Sequence, residues 1–242
     1  MWKPWTTTLA TLLAVWLLAP AAQAVIIDSF DNSNYPGDLL AAPAMASFDD
    51  LAVAGVAGGD RRIDLTATAA TSPVTNFVAF EISGGVGGYA SGPTADGYVE
   101  LLYDGASLAA DLGGAPNMIS LDFAMFDGAF NNPIMLSVTV SDGMDMASGD
   151  VSHFGSSFVP FTIDFDLLSF PGIGAVNLGG LTSILVRLDP DVGQDYELDA
   201  IRSTSSAPEP ASVTMALFAI AAIGATVQHR KKRRKSGLSQ RG

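Results

Sequence analysis

The chain has no cysteine in 242 residues. Disulfides, thiolate nucleophiles and cysteine-ligated zinc are excluded with it, so a folded unit must rest on its apolar core alone. Tryptophan is confined to Trp2, Trp5 and Trp16, which leaves tyrosine and phenylalanine as the aromatics of everything downstream. Histidine is scarce: only His153 and His229 occur. A single histidine in the body of the chain, next to Ser152 and Phe154, reads as an ordinary strand or loop residue rather than a base. Ser156 and Ser157 near it lack a G-x-S-x-G context. Carboxylates are plentiful, but no pair is singled out as the acid and base of a hydrolase. The inventory points away from an enzyme, and no residue is assigned as catalytic.

Positive charge is the next shortage. Of the 12 basic residues, only Arg61, Arg62, Arg187 and Arg202 fall between Val25 and Ala207, against 24 acidic ones. A surface near -20 repels phosphate backbones and anionic lipid, which excludes nucleic acid as a partner. The same surface favours solubility and offers oxygen donors to divalent cations.

What is present is organised from the two ends inward. Residues 1–24 read as a secretory signal peptide: Lys3, an apolar core ended by Pro20, then Ala22, Gln23 and Ala24 as an A-x-A cleavage site. The partners this implies are an export translocon and a signal peptidase. At the other end, Pro208, Glu209 and Pro210 precede an uncharged run over 211–227, at the short end of what a membrane-crossing helix needs. Six consecutive basic residues follow: Arg230, Lys231, Lys232, Arg233, Arg234 and Lys235. They resist translocation, hold the tail in the cytoplasm and place the body of the chain outside. Physical chemistry alone reads this as a stop-transfer anchor in a membrane.

Between the ends, period-two alternation dominates. Ile119, Leu121, Phe123 and Met125 alternate with small or polar residues, as do Leu136, Val138 and Val140, and Phe161, Ile163, Phe165 and Leu167. Asp104-Gly105, Asp127-Gly128 and Asp142-Gly143 stand as turn signals. No sustained 3.6-residue period with caps interrupts them. The expectation is an all-β fold, an antiparallel β-sandwich of jelly-roll type with eight to ten strands over 25–203 and a polar linker over 204–207. Residues 39–59 read as loop with one strand near 51–56, and 84–88 as a glycine-rich loop that carries Tyr89. Tyr98 and Tyr103 differ in parity and face opposite sides of one strand.

Calcium is the one ligand the residues suggest. Asp189, Asp191, Asp195, Glu197 and Asp199 give a run of donors without EF-hand spacing. The same run also reads as solvated acids on alternate strand positions, and the sequence leaves both open.

Two resemblances add to this. The order of Pro208-Glu209-Pro210, short apolar helix and basic terminus over 208–235 resembles the PEP-CTERM sorting signal of exported bacterial proteins. Membership implies an exosortase that recognises the tripeptide, and a non-enzymatic role in the cell envelope or extracellular matrix, where such cargo is linked to exopolysaccharide. Less extensively, Ile27-Asp28-Ser29-Phe30-Asp31, Leu102-Tyr103-Asp104-Gly105 and the closing run Asp195 to Ile201 resemble galactose-binding-like jelly rolls. That fold includes many carbohydrate-binding modules and implies first and last strands side by side. It also implies a structural calcium there, held by Asp28 or Asp31 with Glu197 or Asp199. The alternative function is therefore an anchored carbohydrate-binding module with polysaccharide as its partner.

Overall fold

The structure, a computed structural model, describes residues 23–32, 35, 37–128 and 132–205. The signal-peptide reading before residue 23, apart from its last two residues, and the whole Pro-Glu-Pro, 211–227 and basic-tail reading lie outside them. Among the described residues no helix is long and apolar enough to cross a membrane. Gln23–Ser205 forms one compact unit.

That unit is an antiparallel sandwich of two sheets. Sheet A joins β11 (Phe161–Asp166), β8 (Pro116–Asp127), β13 (Asp195–Ser205), β6 (Val86–Ser91), β5 (Val78–Ser83) and β2 (Asp38–Leu40), with β1 (Gln23–Asp28) also on β13. Sheet B runs β10 (Met146–His153), β9 (Ile134–Ser141), β12 (Ser183–Asp189), β7 (Asp96–Tyr103), β4 (Arg61–Ala69), β3 (Ala44–Asp50). The first and last strands pair, as the jelly-roll resemblance implies. One helical turn, α1 (Leu108–Asp111), follows β7.

The alternating side chains read from the sequence form the core, except Met125, which a register shift against β13 turns outward while Phe126 takes the buried place. Ile119, Leu121 and Phe123 from β8 meet Leu136, Val138 and Val140 from β9 and Ile184, Val186 and Leu188 from β12, all buried. Tyr103 is buried while Tyr98 on the same strand faces outward, as their parity requires. Three expectations fail. Residues 51–56 form turns rather than a strand, and the strand lies earlier, in β3. Only Gly84 and Gly85 form the turn of the glycine-rich stretch, because both take left-handed φ; Val86 onward is strand, and Tyr89 is buried in it. Among the described residues the strands number thirteen rather than eight to ten: β2 has only three residues, and β3, β6 and β10 are rich in alanine, glycine and serine.

One end of the sandwich is closed by a buried polar network. A bulge in β1 sets two residues, Ile27 and Asp28, against one step of β13, so both turn inward. Asp28 Oδ2 then accepts from Arg61 Nη1 at 2.6 Å and from the Tyr103 hydroxyl at 3.0 Å, and Oδ1 accepts from the Phe30 amide at 2.9 Å. Arg61 Nη2 donates to Asp50 Oδ2 at 2.7 Å. All three charged side chains are about 1 % exposed. Phe30 takes a left-handed φ of 55°, and its ring lies 5.7 Å from the Arg61 guanidinium carbon. Gly105 crosses Gly58 beside this end so closely that a Cβ on Gly105 would stand 1.7 Å from the Gly58 carbonyl oxygen.

Candidate functional site: a groove across sheet A

Because sheet A is half-buried, every second residue of its strands looks outward. Cross-strand registers set these residues in rows. One row reads Glu81, Gly88, Glu197, Met125: Glu81 opposes Gly88, Gly88 opposes Glu197, and Glu197 opposes Met125. Gly37 meets the β5 end of this row, next to Glu81. The neighbouring row sets Leu39 against Ala79 and Ala79 against Ala90. Small residues therefore occupy Ala79 on β5 and Gly88 and Ala90 on β6, while longer side chains stand around them. The result is an open groove of about 580 Å³ with Gly88, Ala79 and Ala90 as its floor and Leu39, Met125, Glu81, Asp195 and Glu197 around it. Crossing five strands at ~4.8 Å spacing, it is ~19 Å long. Beneath the floor, Tyr89 and Tyr196 stack at 5.1 Å with their rings nearly parallel, which stiffens the β6–β13 pair.

The groove is electronegative, and none of the described residues that line it is a cation. Each of the four arginines among the described residues is committed elsewhere to a carboxylate. Arg61 pairs with Asp28 and Asp50, Arg62 with Asp64, Arg187 with Asp189 and Glu100, and Arg202 with Asp122. Arg187 also lies 3.5 Å over the Tyr98 ring on the outer face of sheet B. In the groove, burial raises the Asp195 carboxyl above its ordinary range; the Ser91 amide, donating to Oδ1 at 2.9 Å, pulls the other way, and the nearby Asp127 charge adds to the rise. Such a surface offers hydrogen-bond acceptors to hydroxyl donors and rejects anions.

The calcium ligands inferred from the sequence are not brought together. Asp28 points into the interior, where Arg61, Tyr103 and the Phe30 amide already occupy its oxygens. Glu197 lies on the outer face of β13, in the groove, and Asp199 is exposed farther along that strand. Asp31 is exposed beside Gly85. Among the described residues no group of three or more His, Asp or Glu side chains is arranged to hold a metal ion. His153 stacks on Phe161 at 4.6 Å and meets Phe126 edge-on, an aromatic packing position at the margin of the sandwich. Ser157 pairs through its backbone with Phe126. Of the groove residues, the sequence marks Glu197 and Asp195 as oxygen donors, Gly88 and Tyr89 as part of a loop and Met125 as one of an alternating set, none of them for this purpose. Gly88, Glu81 and Met125 come from separate strands, and only register unites them.

No protein-family model matches the chain, and no curated protein matches it. Solved structures similar to it include the family 11 carbohydrate-binding module from Clostridium thermocellum in complex with a β-1,3-1,4-mixed-linked tetrasaccharide. It is 16% identical with a TM-score of 0.37, over 76% of this chain and 96% of that one. A family 29 carbohydrate-binding module from Piromyces equi is 13% identical with a TM-score of 0.35, over 77% of this chain and 93% of that one. TmCBM61 in complex with β-1,4-galactotriose is 10% identical with a TM-score of 0.29, over 59% of this chain and 86% of that one.

Proposed function

We propose that this chain is an exported binding protein whose β-sandwich holds a neutral, hydroxyl-rich glycan chain in the sheet A groove, without cleaving it. The observation that carries this reading is the groove itself: open along its length, floored by glycine and alanine, and edged by carboxylates with no cation among the described residues. An extended polymer fits an open trough rather than a closed cavity. Its hydroxyls donate to Glu81, Asp195 and Glu197, while Leu39 and Met125 offer apolar contact. Uronic-acid or sulfated polymers are disfavoured by charge.

Affinity electrophoresis of the purified full-length chain in mild detergent tests this. Migration slows in gels containing a neutral β-linked polysaccharide, stays unchanged in gels containing alginate, and the neutral polymer is recovered intact. Unchanged migration across a panel of neutral polysaccharides would overturn the reading, and chain shortening of the polymer would overturn its non-catalytic part.

Delivery to the cell envelope is part of the proposal and rests on the sequence signals at both ends. The PEP-CTERM-like order from Pro208 to Lys235 supports membrane insertion and exosortase sorting, with release to the surface or matrix. Protein recovered from its native cells is expected to have an intact mass starting at Val25. A mass that retains Met1 together with the whole leader would contradict export.

A further inference from the structure

The leader junction read from the sequence does not stand ahead of the fold but lies inside it. β1 begins at Gln23, and its backbone sets Gln23 against Ser205, Ala24 against Thr204, Val25 against Ser203 and Ile26 against Arg202. The Ala24–Val25 bond, which a peptidase reading A-x-A would hydrolyse, is therefore the second link of a paired strand. β13 is itself held on its other edge, where the same residues pair with β8. The far end of β1 is pinned as well. Ile27 and Asp28 are buried; the Ile27 carbonyl accepts from the Ala57 amide at 2.8 Å, and Asp28 is held by Arg61 and Tyr103. Peeling β1 from that end breaks the buried network, so the junction opens by fraying from Gln23.

Hydrolysis here adds one water across the amide. The Ala24 carbonyl carbon gains a hydroxyl, its bond to the Val25 nitrogen breaks, and the products are an Ala24 carboxylate and a Val25 ammonium. A peptidase cleft grips an extended segment whose backbone groups are free to pair with the enzyme. The Ala24 side chain is exposed, so side-chain access is present and backbone access is what β13 takes away.

We infer that β13 is a lock on this junction: the Ala24–Val25 bond is open to a leader peptidase until β1 pairs with β13 and closed to it afterwards, so leader removal precedes closure of the sandwich. This rests on the export half of the proposed function and is independent of the glycan. Chain order supplies the time. β13 is the last strand of the described residues, so the lock is made after everything else. At ~5–20 residues per second, Asp195 follows Ala24 by on the order of ten seconds or more. A chain that closes first is cut only as often as β1 frays.

The full-length precursor, denatured in urea and returned to mild detergent, tests the lock in two histories. Purified signal peptidase is present from the moment of dilution, or is added after refolding is complete, and intact mass follows the appearance of chains starting at Val25. A second chain, with Gly-Ser-Gly-Ser-Gly-Ser inserted between Ala24 and Val25, carries the junction outside β1 and serves as the control. The parent is cut about a hundredfold or more slowly once refolded, whereas the insertion chain is cut equally fast in both histories. A refolded parent cut as fast as the freshly diluted one overturns the lock. A refolded insertion chain that also resists places the block in the detergent-bound leader rather than in the strand pair, and overturns it too. If neither chain is cut in either history, the leader reading falls and the inference falls with it, while glycan retention is untouched.

Discussion

Replacing Arg61 by leucine lowers the unfolding free energy by ~3–5 kcal/mol, the cost of leaving buried charge without its partner. Arg61 is the bridge between two carboxylates, Asp28 and Asp50, each about 1 % exposed. Without it, Asp28 keeps only the Tyr103 hydroxyl and the Phe30 amide, and Asp50 loses the guanidinium entirely as a donor. Burial already pushes the Asp28 carboxyl above the ordinary carboxylate range against the pull of Arg61. A folded-state value above the unfolded one means that the native state holds the extra proton in that window. Stability from this group is therefore present below the ordinary carboxylate pKa and declines as pH rises through the folded value. Removing Arg61 widens that window. The loss in the Arg61→Leu chain is largest at neutral pH and shrinks as acid protonates Asp28. Urea denaturation followed by circular dichroism at pH 7 and pH 4 reads both effects. Equal stability of the two chains at pH 7 would mean that the network contributes nothing beyond packing.

The parts of the fold legible in the sequence are those where large apolar residues alternate with polar ones. β8, β9, β11 and β12 carry Ile, Leu, Val and Phe at every second position, and those side chains are the core. β10 was not legible for a physical reason. Its Gly149 lies under Phe170, where a Cβ would stand 2.2 Å from the ring, so packing demands the residue that erases the strand's pattern. β3 buries its inner face with Ala46 and Phe48 only in part and exposes Met45, leaving little contrast to read. In β6, the glycines that suggested a loop are strand residues, one packed under Phe80 and Phe30 and one flooring the groove. The Asp28 network escaped notice for a related reason. Nothing in the spacing of Asp28, Asp50, Arg61 and Tyr103 reveals that a bulge turns the first of them inward.

Gly88 is where the structural and functional readings can be separated. It sits mid-strand between Glu81 and Glu197 with its backbone outside the left-handed region. An added Cβ would meet nothing closer than the Glu81 carbonyl oxygen at 4.0 Å. A side chain there points into the groove and touches no core residue. Leucine also suits a strand better than glycine, by up to ~1 kcal/mol. Gly88→Leu is expected to fold with an unchanged or raised melting temperature while its isobutyl group fills the trough.

The decisive measurement is the retention of this variant on a neutral β-linked polysaccharide, beside the parent and with both melting temperatures recorded. Retention falling by tenfold or more at undiminished thermal stability is the predicted result. A folded Gly88→Leu chain that is retained as strongly as the parent would place any glycan somewhere other than the sheet A groove and contradict the account.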